Sequence, residues 1–209
     1  MRLVERAKNI IVTPRTQWHP IAQDATRRNA LTTGYVLPLA APAALAAFIG
    51  QVFVGTSLGP LGTMRLGIGM GLVGLVFAIV MAVVMVFVVG FIVDALAPTF
   101  GGQKSLDQAV KVAAYAYTPV WIVGLLAILP ALALLGIIAA IYAVYLLYLG
   151  LPRLMKAPQD KPAGYTAVVV VVAIVVGFVV AMIGGLITAP AMMGAGGAAS
   201  VTYDKDSPM

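Results

Sequence analysis

The feature that most constrains this chain is a series of five apolar stretches, each long enough to cross a bilayer. They run at Tyr35–Val54, Gly67–Val93, Val112–Leu129, Ala131–Leu151 and Thr166–Thr188. A membrane-spanning helix needs about 20 predominantly apolar residues. Continuous runs of this kind differ from the alternating ~10-residue segments of a membrane β-barrel. The sequence therefore predicts an all-α, polytopic membrane protein with five transmembrane helices.

The amino-acid composition excludes several kinds of disulfide and metal site. Hydrophobic residues make up 62% of the 209 residues and charged residues only 10%, whereas soluble domains carry about 25% charged residues. The chain has no cysteine and a single histidine, His19. These counts exclude a disulfide framework, a thiolate zinc site and a histidine-rich metal cage. We therefore expect no metal and no cofactor.

The basic residues predict how the chain is oriented in the membrane. Eleven of the 13 Lys and Arg residues fall before the first apolar stretch, between the second and third, or between the fourth and fifth, and only Arg65 and Lys205 fall on the other side. Loops rich in Lys and Arg stay in the cytoplasm. The split predicts a cytoplasmic N-terminus and, with five spans, a C-terminus outside. We therefore attribute the net charge of +6 to the orientation of the chain in the membrane, and we expect no nucleic-acid partner.

The segment before the first span has the pattern of a short amphipathic helix. Residues 1–33 place Leu3, Val4, Ala7, Ile10 and Ile11 at helical spacing, with charged and polar residues on the other face. Such a helix is suited to lie on an anionic cytoplasmic leaflet through its apolar face. A solvated basic leader is the alternative reading. Thr13-Pro14 predicts that a second helix starts there, which would place Trp18 at the headgroup level.

Three segments follow from these patterns. Residues 1–33 form the cytoplasmic amphipathic segment, residues 34–188 the five-span membrane domain, and residues 189–209 a flexible, non-cytoplasmic tail.

Catalytic constellations are absent from the sequence. His19 is the only histidine, so no Ser/His/Asp set can be assembled, and its place beside Trp18 favours an interfacial position. The Gly101–Ser105 segment lacks the spacing of a phosphate-binding loop, and we interpret it as a turn with Ser105 as a helix N-cap. We therefore expect no enzymatic activity.

Candidate interaction residues gather around the loop after the second span. Asp94 lies at the cytoplasmic end of that span, and we expect it to pair with Lys104, Lys111 or Arg153 and so join two loops. Tyrosines at i, i+3 and i+6 in the fourth span favour helix packing over a ligand site. The candidate face consists of Asp94, Phe100, Gly101, Gly102, Lys104, Lys111, Tyr115, Pro119, Tyr142, Tyr145 and Arg153.

Several runs of this sequence are distinctive: Asp94–Gly102, Lys111–Trp121 and Tyr142–Pro158, and in the opening part Val4–Ile11, Thr13-Pro14, Trp18 and Thr33–Pro38. Together they resemble the Yip family, the Ypt/Rab-interacting-protein domain, in its bacterial branch. The resemblance covers essentially residues 1–188 and is most specific around Tyr148–Met155. The family implies five spans with a cytoplasmic N-terminus. Its eukaryotic members act in vesicle trafficking and bind small GTPases, but their Asp-Leu-Tyr-Gly-Pro motif has no counterpart in residues 14–34.

Two functions from different classes remain open at this point. The first is a non-catalytic, membrane-organising or protein- and lipid-interaction module of the bacterial cytoplasmic membrane. Its expected partners are the anionic cytoplasmic leaflet and a second copy or another membrane protein. The second is a small oligomeric transporter or channel for an ion or small solute, with a polar path along Asp94, the tyrosines and the broken third helix. The lack of ionisable residues inside the apolar stretches favours the first.

Overall fold

Five long apolar helices form the protein. The computed structural model describes residues 3–57, 62–132, 134–158, 162–194 and 199–202. The helices that are long and apolar enough to span a membrane cover Arg28–Val54, Ile68–Leu96, Leu106–Ile128, Leu135–Leu154 and Pro162–Ile183. The predicted all-α, five-span architecture is therefore confirmed.

Two short helices precede the spans. Helix α1 covers Leu3–Val12 and α2 covers Pro14–Gln23, and together they form the N-terminal hairpin (Leu3–Gln23). The predicted helix start at Thr13-Pro14 is confirmed, since a proline at the first helical position lacks only an N–H that would have no partner there. The Thr13 hydroxyl does not cap α2 and instead donates to the Asn9 carbonyl in α1.

The first span, α3 (Arg28–Val54), is a continuous helix with two wider π-helical turns. One of them covers Thr32–Val36, and the N–H of Leu37 donates to the carbonyl of Thr32, five residues back. This turn lies directly before Pro38, whose ring would clash with the carbonyl four residues earlier in a regular α-helix. Helix α3 begins at Arg28, seven residues before the apolar stretch predicted to start at Tyr35.

Three further helices end beyond their predicted bounds, although α4 and α7 also begin later than predicted. Helix α4 covers Ile68–Leu96, α7 covers Leu135–Leu154 and α8 covers Pro162–Gly194. Asp94 and Arg153 consequently lie within helices instead of loops. Helix ends depend on capping and on contacts with other segments as well as on hydropathy, so an apolar stretch does not determine them.

The third span is broken in the middle. Helix α5 covers Leu106–Ala116, α6 covers Thr118–Gly124, and a 3₁₀ segment continues to Ile128. The break falls before Pro119, which has no N–H to donate and crowds the preceding turn. Helix α5 starts after Ser105, as predicted, although the Ser105 side chain makes no capping hydrogen bond. Lys111, predicted in a loop, therefore lies inside a helix.

A small antiparallel sheet lies at the opposite end of the bundle from the N-terminal hairpin. Strand β1 (Thr56–Ser57) pairs with β2 (Thr63–Leu66), and β2 pairs with β3 (Ala199–Thr202) in a register that sets Met64 opposite Val201. Helix α8 to Gly194 and strand β3 give regular structure to parts of segment 189–209, predicted as a flexible tail. The rest of that prediction, including Lys205, lies outside the described residues.

Helix α5 lies at the centre of the bundle. Its residues Ala109–Ala116 are all buried, and it packs against α4, α7 and the N-terminal hairpin. The hairpin, segment 97–105 and segment 155–158 lie at one end of the bundle, which we call the basic end. Among the described Lys and Arg residues, all but Arg65 belong to these segments, to segment 24–27, or to helices that begin or end at this end of the bundle. Arg65 lies in β2, at the sheet end.

Candidate functional site

The N-terminal hairpin is docked into the helical bundle. Ala7 and Ile10 of α1 and Trp18 and Ile21 of α2 are buried in the same core as the spanning helices. Trp18 lies against Gly150 of α7, where a Cβ atom would come within 2.8–3.0 Å of three atoms of the indole ring. The absence of a side chain at residue 150 thus makes room for Trp18. Trp18, predicted at the headgroup level, has an exposed fraction of 0%, so its ring contacts protein and not lipid headgroups.

The buried face of α1 is the one predicted to lie on the membrane. Ile10 is fully buried, and Leu3 and Ile11 pack against the protein core. Of the predicted lipid-facing residues, Val4 remains outside, with an exposed fraction of 73%. The amphipathic pattern identified a helix with one buried face, but a periodicity does not state whether that face meets lipid or protein.

A polar cluster joins the hairpin to the broken third span. Nη1 of Arg6 lies 2.8 Å from the hydroxyl of Tyr115 and 2.8 Å from Oδ2 of Asp24. The Lys111 ammonium donates to the backbone carbonyl of Asp24. We call these residues, with Thr26, the Arg6–Asp24 cluster. It ties α1, the segment after α2, and α5 together with charge-assisted hydrogen bonds, which are the strongest kind.

Asp24 is held in its charged form. The amide and the hydroxyl of Thr26 donate to its Oδ1, and Arg6 pairs with its Oδ2. The hydrogen bond from the Thr26 hydroxyl is the largest effect on the pKa of the Asp24 carboxyl and lowers it. Burial, the next largest, opposes this, and the contacts with Arg6 and the Thr26 amide add to the lowering, so the pKa lies below its usual range. A carboxylate that accepts several hydrogen bonds is stabilised relative to its protonated form. The cluster therefore keeps its ion pair at neutral pH.

Further hydrogen bonds attach the hairpin backbone to the spans. The Gln108 amide donates to the Ala22 carbonyl at 3.0 Å, and the Tyr142 hydroxyl donates to the Ile11 carbonyl at 2.6 Å. Ile11 lies near the end of α1, where carbonyl groups lack partners within the helix. Polar side chains of α5 and α7 thus satisfy backbone groups of the hairpin.

An aromatic group continues the cluster inward. The Tyr35 and Tyr115 rings lie 4.6 Å apart, and Trp18 meets Tyr115 edge to face at 6.4 Å. The buried Tyr35 hydroxyl lies 2.8 Å from the Thr118 hydroxyl at the break between α5 and α6. The polar residues of the broken span are therefore paired with the hairpin and α3.

The two turns at the basic end contact each other through the backbone. The N–H of Gln103 donates to the Met155 carbonyl at 2.7 Å. Gly101 has a φ of 75°, which glycine adopts without strain. A side chain at Gly101 or Gly102 would also meet Pro158 or the Met155 carbonyl. The prediction that these two loops lie together at one end is confirmed.

Asp94 does not join the two loops, so that part of the prediction is wrong. The two ion pairs among the described residues are Arg6–Asp24 and Arg28–Asp107. Lys111 donates to Asp24 and Arg153 contacts His19 instead. The Oδ1 atom of Asp94 is buried and has no hydrogen-bond partner in the described part of the chain. Asp94 lies in the last turn of α4, which ends at Leu96, and neither ion pair of the described residues includes it.

Tyr165 of α8 organises the surroundings of Asp94. Its ring stacks on Phe100 at 4.9 Å, and its hydroxyl donates to the carbonyl of Val93. Phe100, Tyr165 and Val93 thus meet next to Asp94, the residue that follows Val93, and we call this group the Asp94–Tyr165 cluster.

The other predicted site residues are distributed among different surroundings. Lys111, Tyr115 and Tyr142 hold the hairpin, Arg153 contacts His19 of α2, and Pro119 is buried at the start of α6. Lys104 and Tyr145 are exposed. The predicted face therefore divides into a hairpin-binding group and the Asp94–Tyr165 cluster.

Sequence reasoning missed Arg6, Asp24 and Thr26 as members of the site. One signal was present: Asp24 is the only acidic residue between Glu5 and Asp94, in a strongly basic segment, and is followed by Thr26. An isolated acid with a hydroxyl residue two positions later indicates a local turn and an ion pair. Its partner in α5 lies over 80 residues away and leaves no local pattern.

The bundle also contains a crevice between its helices. Its volume is about 210 Å³, and its lining is apolar except for Tyr117, with Val89, Ala113, Leu147 and Val169 among the lining residues. The described residues contain no group of three or more His, Cys, Asp or Glu placed to hold a metal ion.

Fold and site define a class of protein: a five-span membrane protein in which an N-terminal helical hairpin is docked on a broken third span. The family model of the Yip1 domain matches residues 8–193. The chain therefore belongs to the Yip1 domain family. Comparison with curated proteins and with solved structures gives no match.

Proposed function

We propose that this protein is a non-catalytic interaction module that acts through its basic end, binding a membrane protein or lipid there. The observation that carries the proposal is the convergence of three distant segments at that end: the hairpin, segment 97–105 and segment 155–158. The hairpin is joined to α5 by the Arg6–Asp24 cluster, and the two turns by the bond from Gln103 to Met155. A preorganised surface costs less entropy when it binds.

The same proposal includes an orientation and a location. We place the basic end in the cytoplasm and the sheet end outside, in a bacterial cytoplasmic membrane. Support comes from the distribution of charge, because among the described basic residues only Arg65 lies at the sheet end. The expected partners are the anionic cytoplasmic leaflet and either a second copy of the chain or another membrane protein.

Site-specific photocrosslinking in growing cells tests this function. A photoreactive residue at Lys104 or Lys156, both exposed at the basic end, should give a small set of discrete crosslinked products. The matched control is the same residue at Arg65, exposed at the sheet end. Equal product patterns at the two ends, or none at the basic end, would contradict an interaction face at the basic end.

One observation favours the second candidate, a small transporter or channel. A buried carboxylate oxygen without a partner, such as Oδ1 of Asp94, is costly, and such groups in membrane proteins often bind ions or protons. The test is reconstitution into vesicles that contain a pH-sensitive dye, under an imposed potential. Proton flux that Asp94→Asn abolishes would favour transport. No flux above empty vesicles would favour the interaction module.

A further inference from the structure

The N-terminal hairpin extends deep along the bundle. Its turn, Val12–Thr13, follows Ile11, whose carbonyl accepts the hydrogen bond from Tyr142. Tyr142 is 12 residues from Leu154, the last residue of α7 at the basic end. At 1.5 Å per residue this separation is about 18 Å, against a hydrocarbon core about 30 Å thick. The turn therefore lies level with the middle of a spanning helix.

A second contact gives the same depth independently. Helix α1 packs against α6 (Thr118–Gly124), which follows the break in the third span. Arg6, higher up in α1, reaches Tyr115 in the last two turns of α5. Contacts with the third and fourth spans thus place the end of α1 well below the basic end of the bundle.

The outer face of the hairpin carries cations at this depth. Lys8 lies one turn before Val12 in α1, and Arg15 is the second residue of α2. Both are exposed, and so are Val4 and Val12, at 73% and 65%. Neither Lys8 nor Arg15 belongs to either ion pair of the described residues. An exposed cation within the hydrocarbon layer is costly, unless it extends to the interface, thins the bilayer or meets an anion.

We propose that the outer face of the N-terminal hairpin is a binding site for an anionic phospholipid of the leaflet at the basic end, with the lipid phosphate on Lys8 and Arg15 and an acyl chain against Val12. The phosphate supplies the missing anions, and the leaflet is thinned locally so that the headgroup reaches the cations. The lipid meets the opposite face of α1 from the one that the sequence predicted. This inference deepens the proposed function and rests on its placement of the basic end as an interaction face.

Lipid retention tests the charge part of the proposal. The purified full chain is mixed with equal amounts of phosphatidylglycerol and phosphatidylcholine, and bound lipid is counted by native mass spectrometry. The wild type should retain phosphatidylglycerol several-fold better. Lys8→Gln with Arg15→Gln should lose most of that preference and leave phosphatidylcholine binding unchanged.

The matched control removes two exposed cations from the same end but away from the hairpin, Lys104→Gln with Lys156→Gln. It should keep the preference. An equal loss in both double variants would show diffuse charge attraction and overturn the site, as would an unchanged preference in the hairpin variant. Helical circular dichroism and the emission of buried Trp18 show that each variant is folded.

Fluorescence quenching tests the depth. A bimane label on Val12→Cys, in this cysteine-free chain, should be strongly quenched by lipids brominated in the acyl chain, whereas the same label on Glu5→Cys, two turns higher, should be quenched much less. Equal weak quenching at both positions would overturn the depth. Because the lipid site can fail while the basic end still gives discrete crosslinks to a protein, its failure is distinguishable from failure of the proposed function.

Discussion

At the scale of single residues, Asp24 is the group on which the attachment of the hairpin depends most. It pairs with Arg6, and its backbone carbonyl accepts from Lys111, so a single residue contacts both α1 and α5. Hydrogen bonds to charged groups contribute about 1.5–3 kcal/mol each, less where water reaches them. The side chain of Asp24 is 26% exposed, so the lower end of that range applies.

We predict that Asp24→Asn weakens docking of the hairpin by about 1–2 kcal/mol. Protection of a thiol placed at the buried residue Ala7 measures docking, and Asp107→Asn is the control. The Arg28–Asp107 pair is 3.3 Å long and about half exposed, so its loss should cost about 0–1 kcal/mol. Equal effects of the two variants would contradict a special role for Asp24.

The same cluster predicts a dependence on pH. Because the folded protein lowers the pKa of Asp24, the carboxylate stabilises docking at neutral pH, and this contribution is lost as the pH falls below about 4. Thiol protection at residue 7 should therefore decrease in acid in the wild type. In Asp24→Asn it should be lower at neutral pH and lack this acid-dependent step.

Neutralising Asp94, unlike neutralising Asp24, is expected not to lower stability. Its buried Oδ1 has no partner among the described residues, so Asp94→Asn breaks no hydrogen bond of that atom. We predict that Asp94→Asn leaves expression and thermal melting in detergent nearly unchanged, or raises the melting temperature slightly, while it impairs the interaction or ion binding of this face. Glu5→Gln, at an exposed residue, is the control. A much lower melting temperature would make Asp94 structural, and an unchanged crosslinking and flux pattern would leave it without a role.

At the scale of elements, the contact between α2 and α7 determines where the hairpin lies. Trp18 fills the space beside Gly150, and burial of a tryptophan in a core contributes about 3–5 kcal/mol. His19 and Arg153 extend the same contact to the protein surface. Packing between these two helices therefore complements the charges of the Arg6–Asp24 cluster.

We predict that Gly150→Leu displaces the hairpin without unfolding the spans. The new side chain would occupy the position of the indole ring, so the emission of Trp18 should shift to longer wavelength and a thiol at residue 7 should become reactive. Gly136→Leu is the matched control on the same helix, because no atom lies within 4 Å of a Cβ there. An unchanged Trp18 emission in Gly150→Leu would contradict the docked position.

The elements differ in how well the sequence predicts them. Five spans and the Thr13-Pro14 helix start follow from local patterns, namely apolar length and a proline at the first helical position. The docking of Trp18 on Gly150 and the pairing of β2 with β3 join residues more than 130 positions apart. Such contacts depend on packing and backbone pairing across the molecule, for which a single sequence carries no period or spacing.

At the scale of the whole molecule, the hairpin covers polar residues of the broken third span. Gln108, Lys111, Tyr115 and Thr118 would be costly in contact with lipid, and the hairpin, the segment that follows it, or α3 supplies a partner for each. The sequence indicated both the break, from Pro119, and the amphipathic hairpin. It did not indicate that one covers the other, since an apolar helix face fits a membrane surface and a protein groove equally well.

Side-selective thiol labelling tests the central claim most directly, that the hairpin is docked at an end of the bundle that faces the cytoplasm. Single cysteines are placed at Glu5, which is exposed, at Ala7, which is 3% exposed, and at Arg65 in the sheet end. With a membrane-impermeant reagent, intact cells should label only residue 65, opened membranes should also label residue 5, and residue 7 should react only after denaturation. Labelling of residue 5 in intact cells, or of residue 7 in native membranes, would contradict the account.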